Sequence, residues 1–159
     1  MKKLYAITNQ PGKVLICILL SAIMLLGGTS CNKNNSSTQT NATMTASVNG
    51  SPITFSVVLS NSNGYTSVQG TSSNYTLTLV MKTMAAGIYT LGDQSTGYYA
   101  TVSDNFGYSY STNAASNGQI TLTQAGPKFN GTFYFTATET SPSPGGATVT
   151  VTSGSCSNI

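Results

Sequence analysis

The amino-acid sequence predicts an all-β fold: an antiparallel β-sandwich of about nine or ten strands, with a closed or partly open β-barrel as the alternative. Three observations lead there. From Met44 onward, apolar residues alternate with Ser and Thr at a period of two, which places one face of each extended segment against a core. Gly, Asn, Asp, Ser or Pro breaks that alternation roughly every six to twelve residues. No helical period persists for about ten residues anywhere in the stretch. Parallel strands need crossovers of about a dozen residues or more. The connections here are mostly shorter, so neighbours are expected to pair as hairpins and meanders.

Taken in order, Met44, Ala46 and Val48 form the first apolar face, and Asn49-Gly50 is a hairpin-turn signal because both residues tolerate positive φ. Ile53, Phe55, Val57 and Leu59 form the second, with a turn from Asn61 to Gly64. Tyr75, Leu77, Leu79 and Met81 give the clearest half-buried strand. Tyr89 and Leu91 lie between Gly87 and Gly92. Tyr98 to Ser103 and Tyr108 to Tyr110 flank a further turn. Ile120 and Leu122, then Phe133, Phe135 and Ala137, then Val149 and Val151 complete the series, each alternating with polar residues that are mostly Thr. The predicted domain therefore runs over residues 44–159.

The remaining N-terminal part reads differently. Lys2 and Lys3 precede an apolar run from Val14 to Leu26, and Gly27-Gly28-Thr29-Ser30-Cys31 follows. That order of basic, apolar and small residues predicts a secretory signal over residues 1–30. The run is short of the roughly twenty residues that span a bilayer. Small residues ending in Cys resemble the lipobox of bacterial lipoproteins, with Gly28 where Leu is usual, and the resemblance implies acylation of Cys31. An ordinary signal peptide cut near Gly28, leaving Cys31 as a free thiol, is the competing reading. Residues 31–43, with Asn32 to Thr43 reading NKNNSSTQTNAT, are expected to act as a lipidated start and a flexible tether.

Gly87-Ile88-Tyr89-Thr90-Leu91-Gly92, Gly131-Thr132-Phe133-Tyr134-Phe135-Thr136-Ala137, Val149-Thr150-Val151-Thr152-Ser153-Gly154 and Asn158-Ile159 together resemble a domain-of-unknown-function family of small lipoproteins from Bacteroidota. The resemblance covers most of residues 44–159. It implies an all-β lipoprotein and no particular activity. Surface-exposed lipoproteins of that phylum resemble one another in carrying acidic residues just after the Cys. Here Asn34 and Asn35 follow Lys33, so the expected location is the periplasmic face of the outer membrane rather than the cell surface.

Charge and side-chain inventory bound the function. Charged residues make up 6% of the chain, against about 25% in an ordinary soluble domain. Without residues 1–30, Lys33, Lys82 and Lys128 balance Asp93, Asp104 and Glu139, so three minus three leaves zero. A neutral chain without Arg cannot supply the row of phosphate contacts that nucleic acid requires, and no nucleic-acid partner is expected. With no His in the chain, neither a His-based nucleophile nor a zinc site is expected. Asp93 and Asp104 sit in turn-forming sequences, where their carboxylates bond the local backbone. No catalytic residue, metal or cofactor is therefore predicted. Cys156 is either a small core residue or a free thiol, and the core reading is preferred.

One candidate site stands out. A two- or four-residue loop after Ser103 would set Ser103 opposite Tyr108 and Thr101 opposite Tyr110, gathering Tyr99, Tyr108 and Tyr110 on one exposed face. Exposed Tyr suits stacking on a glycan or docking a protein partner, although cross-strand pairs use Tyr for packing alone. The expected function is a non-enzymatic, membrane-anchored binding or structural module of the envelope. A glycan-binding accessory protein and a lipid-carrying barrel are alternatives, and a carboxylate-based glycosidase is the least favoured.

Overall fold

The computed structural model describes residues 35–37, 41–115, 117–125, 128–142 and 146–159. Eleven strands make one antiparallel sheet: β1 (Asn35–Ser37), β2 (Thr43–Val48), β3 (Ser51–Ser62), β4 (Tyr65–Thr71), β5 (Tyr75–Met81), β6 (Gly87–Thr90), β7 (Tyr98–Asp104), β8 (Ser109–Ser111), β9 (Gly118–Ala125), β10 (Lys128–Ser141) and β11 (Thr148–Ser157). The predicted all-β antiparallel class holds. Pairings run β11-β2-β3-β4-β5-β7-β8-β10, and β10 pairs with β11 again, so the ladder closes into a circuit; β9 and β6 branch from β10. This arrangement is compatible with both the sandwich and the partly open barrel.

The early strands follow the chain. Asn49 and Gly50 have φ of 48° and 84°, and Asn63 and Gly64 have φ of 51° and 79°. These are the left-handed pairs that two-residue hairpin turns require. β4 has no predicted counterpart because Val68 is its only fully buried apolar side chain. Its next inward position is Gly70, and a Cβ there would come 2.6 Å from Met44 Sδ and 2.8 Å from Phe55 Cβ. Neighbouring strands thus fill the space that β4 leaves. The segment read as a tether also contributes backbone: Asn35–Ser37 pairs antiparallel with Leu59–Asn61 of β3, and β2 begins at Thr43.

The interior is occupied by side chains from almost every strand, including Met44, Val68, Leu77, Leu79, Met81, Val102, Ile120 and Phe135. Two further glycines lie under phenylalanines of β10. Gly118 faces Phe135 Cβ at 2.7 Å from the position a Cβ would take, and Gly154 lies under the Phe133 ring. β11 carries an irregularity on both of its edges, with Ser153 at φ 50°. Val149 and Val151 point inward before it, and Gly154 and Cys156 after it. Strict alternation from Val151 would turn Cys156 outward; the extra residue of a bulge reverses the phase. Cys156 is accordingly a core residue, as preferred. Burial pushes its thiol up to about 11, and Sγ donates to the carbonyl of Gly131 at 3.7 Å.

Candidate functional site

A groove of about 690 Å³ opens where the short β8 bridges β7 and β10. Three rows of residues run across these strands. Thr101, Ser111 and Thr138 form one, Val102, Tyr110 and Glu139 the next, and Ser103, Ser109 and Ser141 the third. Hydroxyl groups thus line the groove from both sides, with Thr140 Oγ1 donating to the carbonyl of Ser109 at 3.1 Å and the hydroxyls of Ser103 and Ser109 3.1 Å apart. Asn113 donates from Nδ2 to Thr138 Oγ1 at 3.2 Å.

The wall on the β6 side is a short 3-10 turn, Gln94–Thr96, capped by Asp93. The Asp93 carboxylate accepts from the backbone N–H of Ser95 at 2.9 Å and from the Ser95 hydroxyl. Those bonds hold its carboxyl below the ordinary range. Thr112 is fully buried and fastens this wall to the sheet. Its hydroxyl donates to the carbonyl of Gly92 and accepts from the N–H of Ala100 at 3.0 Å. A buried polar atom without a partner would be costly; among the described residues, no buried side-chain N or O lacks one.

Asp93 and Glu139 both line the groove, and no basic side chain is among the described residues around it. The site therefore offers hydroxyl donors and acceptors, two carboxylate acceptors and one tyrosine. Tyr110 packs against the core, and its hydroxyl is held above its ordinary value first by burial and then by the charges of Asp104 and Glu139. Among the described residues no group of three or more Asp, Glu, Cys or His side chains could hold a metal.

The three tyrosines of the predicted patch are not gathered on one face. The loop closed by the Asp104–Tyr108 pair has an odd number of residues, Asn105, Phe106 and Gly107, with Gly107 at φ 92°. Asp104 donates its N–H to the carbonyl of Tyr108 at 3.0 Å, and Asp104 Oδ1 accepts from Phe106 and Tyr108. An odd loop moves the register by one residue, so Tyr110 stands opposite Val102. Tyr110 takes the core side with Val102, whereas Tyr99 flanks the buried Ala100 and lies on the outer side. Tyr108 is 42% exposed beside the loop. Of the three, only Tyr110 belongs to the groove.

The groove's hydroxyl lining escaped the sequence reading because alternating Ser and Thr is also the ordinary pattern of a solvent-facing strand. Thr138 and Asn113 meet through pairing across distant segments, which no local spacing announces. Asp93 and Asp104 do act as turn residues, as expected. Cys31 and the predicted signal over residues 1–30 lie outside the described residues.

The model of a domain of unknown function, DUF6252, matches residues 53–159. The chain belongs to that family. No curated protein and no solved structure matches it. The DUF6252 match begins within β3 and takes in every strand that lines the groove.

Proposed function

We propose that the chain is an exported lipoprotein, held through acylated Cys31 at the periplasmic face of a bacterial outer membrane, possessing a non-enzymatic domain that binds a neutral, hydroxyl-rich ligand such as a glycan. The observation that carries this reading is the groove: hydroxyls on both walls, Tyr110 in its lining and two carboxylates with no basic side chain beside them among the described residues. Carboxylates accept hydrogen bonds from sugar hydroxyls, while like charge disfavours an anionic ligand.

Two rival readings are weaker on physical grounds. A glycosidase needs one carboxyl whose pKa is raised so that it can act as an acid, and Asp93, shifted the other way, does not suit that role. A lipid carrier needs an apolar cavity of several hundred Å³, and the described interior is filled by buried side chains.

The ligand class is tested by glycan-array binding with wild-type protein and with the Thr138→Val and Glu139→Gln variants. A signal on neutral glycans that falls at least tenfold in both variants is the expected result. Binding unchanged in both would remove the groove from consideration. The anchor is tested by fractionation: Cys31→Ser is expected to release the protein from membranes, and its continued extraction only by detergent would argue against the acyl anchor.

A further inference from the structure

The position of β1 carries an inference about how the domain stands on its membrane, one that rests on acylation of Cys31 as just proposed. Asn35 pairs with Asn61 of β3. Across the sheet, Asn61 pairs with Thr66, Thr66 with Met81, and Met81 with Tyr98. These residues form one row, immediately below the Asn63-Gly64 turn. Cys31 precedes Asn35 by four residues, and four fully extended residues reach at most about 14 Å. From Tyr98 in that row, β7 descends to Asp104 and the loop bearing Phe106. Six residues of strand cover about 20 Å, so while Asn35 stays paired the anchor lies nearer the Asn63-Gly64 end than the Phe106 end.

Charge and side-chain type agree with this polarity. The strands alternate in direction around the circuit. Lys82 after β5 and Lys128 at the start of β10 therefore share the end that carries the Asn63-Gly64 turn, and of the three carboxylates Asp104 and Glu139 lie toward the opposite end while Asp93 lies in the turn that leads into Tyr98. At the lysine end, the Tyr65 ring and the Lys82 stem both border Gly97, and Tyr65 is 36% exposed. Tyr and Lys are the residue types that settle at a headgroup interface, the cation facing anionic lipid. We infer that the end of the sheet formed by the Asn63-Gly64 turn, Tyr65 and Lys82 seats on the lipid headgroups of the anchoring membrane, leaving the Phe106 loop directed away from it.

Because the chain has no Trp, a single introduced Trp reports its own position. Full-length acylated Tyr65→Trp and Phe106→Trp proteins are to be reconstituted in phosphatidylethanolamine and phosphatidylglycerol vesicles containing lipids brominated near the headgroup end of the acyl chain. Quenching of the Trp at position 65 at least threefold greater than at position 106 is expected. Equal quenching, or stronger quenching at 106, would overturn the seating. Mass spectrometry of the Cys31 peptide separates the two levels: an acylated peptide with reversed quenching overturns the seating alone, and an unmodified peptide overturns the anchor and the seating together.

Discussion

Strands β2 to β5 pair in the order in which they occur in the chain, through tight turns, whereas β6 to β11 combine consecutive pairs (β7 with β8, β9 with β10, β10 with β11) with pairings that skip strands. β6 joins β9, β8 and β9 share successive stretches of one edge of β10, and β11 returns to lie between β10 and β2. The first region is organised by local turn chemistry. The second adds pairings between strands distant in the chain, and two glycines on strands flanking β10 lie under its phenylalanines, Gly154 also against the Phe133 backbone. Equivalent perturbations should therefore be absorbed in the first region and resisted in the second.

The sharpest test is the same substitution in both. In Gly154→Ala the new methyl would meet the Phe133 ring and, at 2.6 Å, the Phe133 backbone oxygen. Backbone cannot swing aside, and a loss of about 3 kcal/mol is expected in equilibrium urea unfolding. In Gly70→Ala the closest atom is the Met44 thioether sulfur, the movable part of a flexible side chain, while Phe55 Cβ at 2.8 Å is fixed to its backbone but no backbone oxygen is met, and about 2 kcal/mol is expected. Equal losses would dissolve the distinction.

Cys156 tests the second region by titration. In the folded chain its thiol titrates at about 11, against an ordinary 9.0. As pH rises past 9 the unfolded chain ionises first, so stability falls from pH 9 to 11, by up to about 3 kcal/mol. Cys156→Val should lack this part of the alkaline loss. Identical alkaline profiles for the two proteins would count against a buried, neutral thiol.

Thr112→Val is expected to cost about 2 kcal/mol by leaving the Gly92 carbonyl and the Ala100 N–H without their hydroxyl partner. It should also loosen the groove wall, seen as faster amide exchange over residues 92–97. The smallest effect belongs to Asp93→Ala at the exposed 3-10 cap. The Asp93 carboxyl titrates below its ordinary value, so its contribution is present above about pH 4 and fades as the pH falls through the lowered value. The variant should differ slightly from wild type at pH 7 and converge with it in acid, as followed by melting temperature.

The same division explains what could be read from the sequence. Alternation located the faces of β2, β3, β5, β9 and β10, and Asn49-Gly50 announced its turn, because these signals depend on adjacent residues. β4 was invisible: with Val68 and Gly70 as its inward positions, it has little apolar pattern of its own and borrows its packing from Met44 and Phe55. The inward placement of Cys156 was anticipated, but the bulge at Ser153 that produces it was not. At Tyr99, Tyr108 and Tyr110 the residue types were correctly noticed, but their faces depended on a three-residue loop. The groove lay hidden because its parts come from β7, β8, β10 and the Asp93 turn, whose meeting is decided by pairing order.

The last strand has an architectural consequence. β11 occupies the gap between β2 and β10, and the hydroxyls of Thr43 and Ser157 come within 3.2 Å although 114 positions separate them. A nascent chain that has not yet reached Thr148 therefore has two bare β-edges and no means of shutting the ring. Premature termination near the C-terminus should yield a sticky, aggregation-prone product rather than a slightly smaller domain.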